Sequence, residues 1–171
     1  MASMDTLRDL FIAQLRDTLS AEHQLVKALP KMAEKCNAPA LTSALQSHWE
    51  ETRGHVTRLE EVFGMIGETA KDKKCKGMEG LIKEGDEAAG HDGSPAVVDA
   101  GIIAAAQRVE HYEMAAYGCL VHYAELMGLN EVATILRNTL EEEKRADQKL
   151  TDVSDAEVMS PALSAGTAGV R

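Results

Sequence analysis

Hydrophobic residues recur at spacings of three and four along most of the chain, which is the period of an amphipathic α-helix. The first such segment runs from about Asp5 to Lys35, with apolar positions at Leu7, Leu10, Phe11, Leu15, Leu19, Val26 and Leu29. Similar segments cover about residues 39–63, 95–127 and 130–153. The pattern therefore predicts four long helices, each with one apolar stripe.

Residues that start and stop helices lie at the ends of these segments. Pro39 suits the first turn of the second helix, and Ser94 followed by Pro95 is a strong start for the third. Asn130 can cap the fourth helix, while Gly64 and Gly128 are expected to end the second and third. These signals agree with the periodic pattern.

The four predicted helices have similar lengths and can lie side by side. About 25 residues at about 1.5 Å rise per residue give each helix a length of about 35–40 Å. After the lysine-rich stretch "KDKKCKG", the segment "MEGLIKEGDEAA" predicts a shorter helix between the second and third. We predict an all-α, up-and-down four-helix bundle over residues 1–154, with a short fifth helix in the long crossover. Residues 155–171, which are mostly small and polar, are predicted to be disordered.

Composition and charge narrow the class of protein. The chain is 44% hydrophobic but only 4% aromatic, which favours packed helices over sheets. Its net charge is −10, without a dense cluster of Lys and Arg, so nucleic acid is not an expected partner. No run of about 18 apolar residues predicts a membrane span, and "MASMDTLRDLF" does not resemble a leader. Three widely spaced cysteines suit a reducing compartment, and we expect a cytoplasmic protein.

Each long helix carries an acidic residue in the middle of its apolar stripe. These residues are Glu22, Glu51, Glu110 and Glu143. Burying an isolated ionised carboxylate costs several kcal/mol unless the group is paired or binds a metal. Four acids in equivalent places therefore predict a shared cationic partner inside the bundle.

A faint internal repeat relates the two halves of the chain. "AEHQ" at 21–24 resembles "VEHY" at 109–112, and "EETRGH" at 50–55 resembles "EEKRAD" at 142–147. Each half therefore offers one Glu on its first helix and a Glu followed four residues later by His55 or Asp147 on its second. Glu113 follows Glu110 by three residues, so both share a helix face.

This pattern resembles the ferritin-like carboxylate-bridged di-iron proteins, in which each of two helices supplies a Glu and each of the other two a Glu-x-x-His. The additional Glu113 resembles the extra helix-three carboxylate of rubrerythrins. The resemblance implies a metal-binding set of Glu22, Glu51, His55, Glu110, Glu113, Glu143 and Asp147. His48, three residues before Glu51, is an alternative to His55 as the imidazole ligand.

A more specific resemblance covers residues 5–153. The phrases "LFIAQLRDTLSAEHQLVKALPKMA", "EETRGHVTRLEEVF", "MEGLIKEG" and "AAQRVEHYEMAAYG" are similar to the YciF-type bacterial stress proteins of the DUF892 family. This resemblance implies the bundle fold and, together with the apolar residues of the short helix, a homodimer. It does not imply a biochemical activity.

The predicted ligands limit the choice of metal. Six carboxylates carry up to six negative charges, which two divalent ions would reduce to −2 and two trivalent ions to zero. Carboxylates with an imidazole and no thiolate suit two iron ions per chain, or manganese, better than zinc or copper(I). Magnesium and calcium would not need the imidazole.

Several functions are compatible with such a site. One is a di-iron oxidoreductase of the peroxidase or ferroxidase type, in which peroxide reduction needs an external electron donor. Another is a non-enzymatic structural or protein-binding stress protein with a structural or vestigial metal, and a third is an iron-storage cage. Tyr117 shares the face of Glu110 and can hydrogen-bond a carboxylate, whereas His23 and His111 are expected to point away.

Overall fold

The computed structural model describes residues 4–167, and in this range the chain contains helices and no strand. The predicted all-α bundle with four long helices and a short one is confirmed. The helices are α1 (Leu7–Ala33), α2 (Pro39–Met65), α3 (Lys76–Ala89), α4 (Pro95–Leu126), α5 (Asn130–Val153), and, after a π-helical turn at Ser154–Val158, α6 (Met159–Thr167). No helix in the described range is long and apolar enough to cross a membrane.

Local sequence signals account for the helix ends. Thr6 and Asp9 form a capping box, in which the backbone N–H of Asp9 donates to Thr6 Oγ1 at 3.1 Å. Gly67 and Gly128 have φ of 71° and 72°, and each ends a long helix in the left-handed conformation that favours glycine. The second helix thus passes Gly64, and Asn130 is the first residue of α5 rather than its cap.

The helices pack as two hairpins, α1 with α2 and α4 with α5, which face each other across the core. Two apolar clusters occupy opposite ends of the bundle. The first cluster includes Leu25, Leu29, Leu41, Leu45, Ile102 and Leu150, and the second includes Phe11, Leu15, Leu59, Phe63, Leu120 and Leu136. Because each cluster joins the same end of α2 and α4, these two helices run parallel, as the long crossover requires.

Helix α3 covers one side of α1 and α4. Met78 is buried, and Leu81 and Ile82 pack against the first cluster. Gly77 allows α3 to approach α4, because a Cβ there would lie 2.7 Å from Cε2 of Tyr112. The apolar residues of α3 are thus covered within the chain, and the homodimer prediction depends on the family resemblance.

The C-terminal segment differs from the prediction of disorder after residue 154. Helical structure continues to Thr167, and residues 168–171 of the predicted tail lie outside the described range. The reason is tertiary: Val158 is buried in the first cluster, and α6 packs against α4. Pro161 falls in the first turn of α6, where proline does not break a helix.

Candidate metal centre

The middle of the bundle, between the two apolar clusters, contains a layer of buried polar side chains. We call these six residues the central layer: Glu22 from α1, His48 and His55 from α2, Glu110 and Glu113 from α4, and Glu143 from α5. None of them is more than 4% exposed. All four long helices therefore contribute to one buried polar group, although α2 contributes His48 and His55 rather than the predicted Glu51.

Glu143 lies at the centre of this layer. Its Oε1 is 3.0 Å from Nδ1 of His55, and its Oε2 is 3.8 Å from Nε2 of His48. Potential ligand atoms form two groups, within each of which all atoms lie within 4.8 Å of one another: Glu22, His55 and Glu143 in one, and His48, Glu110, Glu113 and Glu143 in the other. Two neighbouring cation positions with one shared carboxylate are thus available.

Burial dominates the protonation of the carboxyl groups. Removal from water raises the pKa of Glu110 and Glu113 well above the ordinary range, and neighbouring carboxylates add to the shift. Burial likewise raises the pKa of Glu22. For Glu143, burial is outweighed by contacts with His55 and His48, which lower its pKa. Without a metal, burial therefore favours the neutral form of Glu22, Glu110 and Glu113, whereas the two histidines favour the charged form of Glu143.

The two histidines show the opposite balance. Burial disfavours the charged imidazole of His55, but hydrogen bonds and charge interactions with Glu143 and Glu22 raise its pKa to about 11. Burial also disfavours the charged imidazole of His48, but interactions with the acids, chiefly the charge interaction with Glu110, raise its pKa to about 9. The contacts with the acids therefore favour the protonated form of both imidazoles, and these can pair with Glu143 when no metal is present.

The central layer has unused hydrogen-bonding capacity that fits a metal. Within the described range, nine of its buried atoms have no hydrogen-bond partner of normal geometry: Glu22 Oε2, His48 Nδ1 and Nε2, His55 Nδ1, Glu110 Oε2, and both carboxylate oxygens of Glu113 and Glu143. Each such atom typically costs about 1–3 kcal/mol. Four carboxylates and two imidazoles suit iron or manganese, and two divalent ions would balance the four negative charges.

A second group of residues supports the ligand positions. Nε2 of His55 lies 2.9 Å from Oε2 of Glu142, which also forms a bidentate ion pair with Arg58. This contact leaves Nδ1 of His55 facing the carboxylates, and such outer partners set the tautomer of ligating histidines. The hydroxyl of Tyr117 donates to Oε1 of Glu22, as predicted.

Two predicted ligands do not reach the central layer. The side chain of Glu51 is 42% exposed and lies 3.6 Å from Nδ1 of His48. Asp147 is 23% exposed and accepts a hydrogen bond from Gln107 at 3.2 Å. The sequence predicts Glu51 in the middle of its apolar stripe, but both residues are only partly buried and lie at the edge of the buried helix face. Neither side chain lies in the central layer in this structure, and their role as metal ligands stays a prediction.

The structure brings His48 and His55 into the layer together, so they are not alternatives. The seven-residue spacing between them, which places both on one helix face, could have indicated this. Sequence reasoning missed Glu142 and Arg58, since their pairing joins α2 to α5 and leaves no local pattern. His23 and His111 point away as predicted; the first lies 3.0 Å from Asp72 and the second is 67% exposed.

Two cavities lead to Glu110 from different sides of the bundle. One of about 250 Å³ lies between α1, α3 and α4 and has mainly apolar walls. The other, of about 480 Å³, also has many apolar residues in its walls but is lined in addition by His48, Glu51, Arg145 and Lys149. The layer is buried, but it has two approaches from the surface.

Comparison with known proteins shows the family. The chain is 45% identical over 153 residues to Protein YciF of Escherichia coli (strain K12), covering 89% of this chain and 92% of that protein. The crystal structure of this E. coli stress protein superposes with a TM-score of 0.86, covering 88% of this chain and 96% of that chain. YcfI of Rhodopseudomonas palustris, proposed to be a structural protein, gives a TM-score of 0.85 at 44% identity. The match covers 88% of this chain and 98% of that chain. The model of the DUF892 domain of unknown function matches residues 6–162, and the chain therefore belongs to the DUF892 family.

Proposed function

We propose that this chain is a di-metal carboxylate protein of the bacterial stress response that oxidises Fe(II) or reduces oxygen or peroxide. The observation that supports the proposal is the central layer, in which six buried side chains from four helices include nine potential ligand atoms that form no hydrogen bond of normal geometry in the described range. Iron is the preferred metal, and manganese is compatible with the same ligands.

The residues of the layer have distinct roles in this proposal. Glu22 and His55 would hold one ion, and His48, Glu110 and Glu113 the other, with Glu143 shared. A bound pair of redox-active ions would supply electrons to, and stabilise charge on, oxygen or peroxide. Burial keeps bulk water out, Tyr117 orients Glu22, and Glu142 fixes the ring of His55.

Turnover with peroxide requires a reductant from outside the described chain. The three cysteines are free thiols: Cys36 is half-buried, Cys75 buried and Cys119 exposed. They form no four-cysteine iron site like that of a rubredoxin domain. An external electron donor is therefore part of the proposal.

Metal analysis of the full chain, purified without chelator and loaded anaerobically with Fe(II), tests the proposal. We expect about two ions per chain in the wild type and a fall toward zero in Glu143→Ala, because the shared ligand serves both positions. Asp147→Ala is the matched control on the same helix, and it should keep both ions. Full retention of metal by Glu143→Ala would contradict the site, and bound iron that does not react with oxygen or peroxide would contradict the activity.

A non-enzymatic structural role is the second candidate. It is favoured by the protonated histidines, which balance the carboxylates without metal, and by the similarity to YcfI. On this reading, metal-free and iron-exposed proteins should have the same thermal stability. An iron-dependent absorption band in the near ultraviolet that changes with oxygen would instead favour the oxidoreductase.

A further inference from the structure

We propose that the cavity between α1, α3 and α4 is a binding site for a small apolar molecule with one hydroxyl group, of the size of a monocyclic phenol. The cavity has a volume of about 250 Å³. Its walls are predominantly aliphatic, formed by Leu25, Leu29, Met32, Leu45, Ile82 and Ile102. This inference goes beyond the proposed metal chemistry, and it is tested on metal-free protein.

The size and walls of this cavity favour an apolar occupant over water. An enclosed apolar cavity of about 150 Å³ in a protein core binds benzene, and the aliphatic inner walls of this more open cavity offer a similar surface to a ring. The cavity in this bundle is larger, so it can accept a substituted ring. Exposed Lys27, Lys31 and Asp86 also line it, which shows that it extends to the surface and that a ligand can enter.

Small residues create the space. Gly85 on α3 lets that helix pack closely on Met32, since a Cβ there would approach Cε of Met32 to 2.8 Å, so the free volume comes from the alanines of α4. Ala105 and Ala106 on α4 form the opposite wall. Larger side chains at these positions would fill the cavity, and Ala106 is the most suitable because it is only half-buried.

The inner end of the cavity is polar and buried. Glu110 lines it, is only 1% exposed, and has an oxygen, Oε2, that lacks a hydrogen-bond partner in the described range. A hydroxyl group can hydrogen-bond to this carboxyl group, whereas a methyl group in the same place would leave it unsatisfied. A carboxylate has about four lone-pair sites, so a hydroxyl can bind Glu110 beside a cation.

Titration of the metal-free full-length chain, labelled with ¹³C at Ala and Met methyl groups, tests the site. We expect 4-methylphenol to shift the methyl signals of Met32, Ala105 and Ala106. It should bind about tenfold more tightly than toluene, which has the same ring without the hydroxyl. Glu110→Leu should remove this preference, because the polar end of the cavity is lost.

Two matched substitutions distinguish this cavity from the polar one. Ala106→Leu fills the apolar cavity and should weaken 4-methylphenol binding at least about tenfold. Ala146→Leu fills the other cavity that reaches Glu110, and it should leave binding unchanged. If Ala106→Leu does not fold, the methyl shifts of the unsubstituted chain decide the location.

Three results would overturn the inference. The first is no saturable binding, and the second is methyl shifts that lie away from Met32 and Ala106. The third is equal affinity for toluene and 4-methylphenol, which would show that Glu110 does not select a hydroxyl. None of these results bears on metal stoichiometry, so failure here is distinct from failure of the proposed function.

Discussion

The same four helices form the apolar ends of the bundle and its central layer, but the two regions differ in how well their buried atoms are satisfied by neighbours. At the second cluster, Phe11, Leu15 and Phe63 are fully buried by carbon neighbours and need nothing further. In the central layer, Glu113 is equally buried, yet neither of its carboxyl oxygens has a hydrogen-bond partner in the described range. The apolar ends thus stabilise the fold, whereas the layer contains buried polar atoms that a bound cation could contact.

This difference shows how a buried polar group can persist without destroying the fold. The central layer loses stability where it lacks partners, and the apolar clusters on either side offset that loss. Changes at the ends should therefore alter stability without altering the metal site. Changes in the layer should remove metal, and replacing an acid without partners there should stabilise the metal-free protein.

The largest expected effect on stability comes from an end of the bundle. Phe63→Ala should lower the free energy of unfolding by about 3–5 kcal/mol, because it leaves a cavity in the second cluster. Where the variant remains folded, its metal content should equal that of the wild type. Chemical denaturation and metal analysis on one preparation measure both quantities. Loss of metal from a folded Phe63→Ala protein would show that ends and layer are not independent.

The second largest expected effect is a change with pH in the free energy of unfolding of the metal-free protein. Glu110 and Glu113 have raised pKa values in the fold, and that of His55 is raised to about 11. The unfolded carboxyls lose protons near pH 4.3 and the unfolded imidazole near about 6.5. Above these values the folded chain holds more protons, so its free energy of unfolding should fall as pH rises.

The slope is about 1.4 kcal/mol per pH unit for each extra proton held by the folded chain. Urea denaturation with a chelator at pH 6, 7 and 8 measures it. The metal-loaded protein is the comparison, since bound ions replace these protons, and its stability should not fall in the same way. Stability that rises with pH in the metal-free protein would contradict the protonated state of the layer.

Replacing one acid of the layer should stabilise the metal-free protein. Glu113→Leu removes two oxygens without partners and adds apolar contacts, so the free energy of unfolding should increase by about 1–3 kcal/mol. Glu61→Leu, at an exposed position of α2, is the control and should change it by less than about 0.5 kcal/mol. A destabilised, metal-free Glu113→Leu protein would mean that this carboxyl has a partner of its own.

The smallest effect concerns the support of His55. Glu142→Gln keeps the shape of the side chain but removes the charge next to Nε2, so the pKa of His55 should fall below about 11. The cost in stability should be about 0.5–1.5 kcal/mol. NMR titration of the His55 ring in metal-free protein measures the shift, and Glu141→Gln, an exposed neighbour, should leave it unchanged.

Sequence reasoning succeeded where one helix determines the outcome. The period of apolar residues predicted helices α1 to α5, Gly128 was correctly placed at the end of α4, and Glu22, Glu110 and Glu143 were correctly placed inside the bundle. It failed where contacts between two helices determine the position of a side chain. The apolar pattern predicts Glu51 in the middle of its stripe, yet its side chain is 42% exposed, and Asp147 pairs with Gln107 of α4 instead of reaching the layer. The pairing of Glu142 with His55 and the burial of Val158 likewise depend on distant contacts.

The division of the central layer between two hairpins affects the order of events during synthesis. The first hairpin, α1 and α2, supplies Glu22, His48 and His55, and the second supplies the remaining three acids. A growing chain makes the first hairpin well before Glu143 emerges, so neither cation position can be complete until α5 has docked. Metal capture would then mark a finished molecule. Chains made during metal shortage would open more often, and cellular proteases would remove them faster.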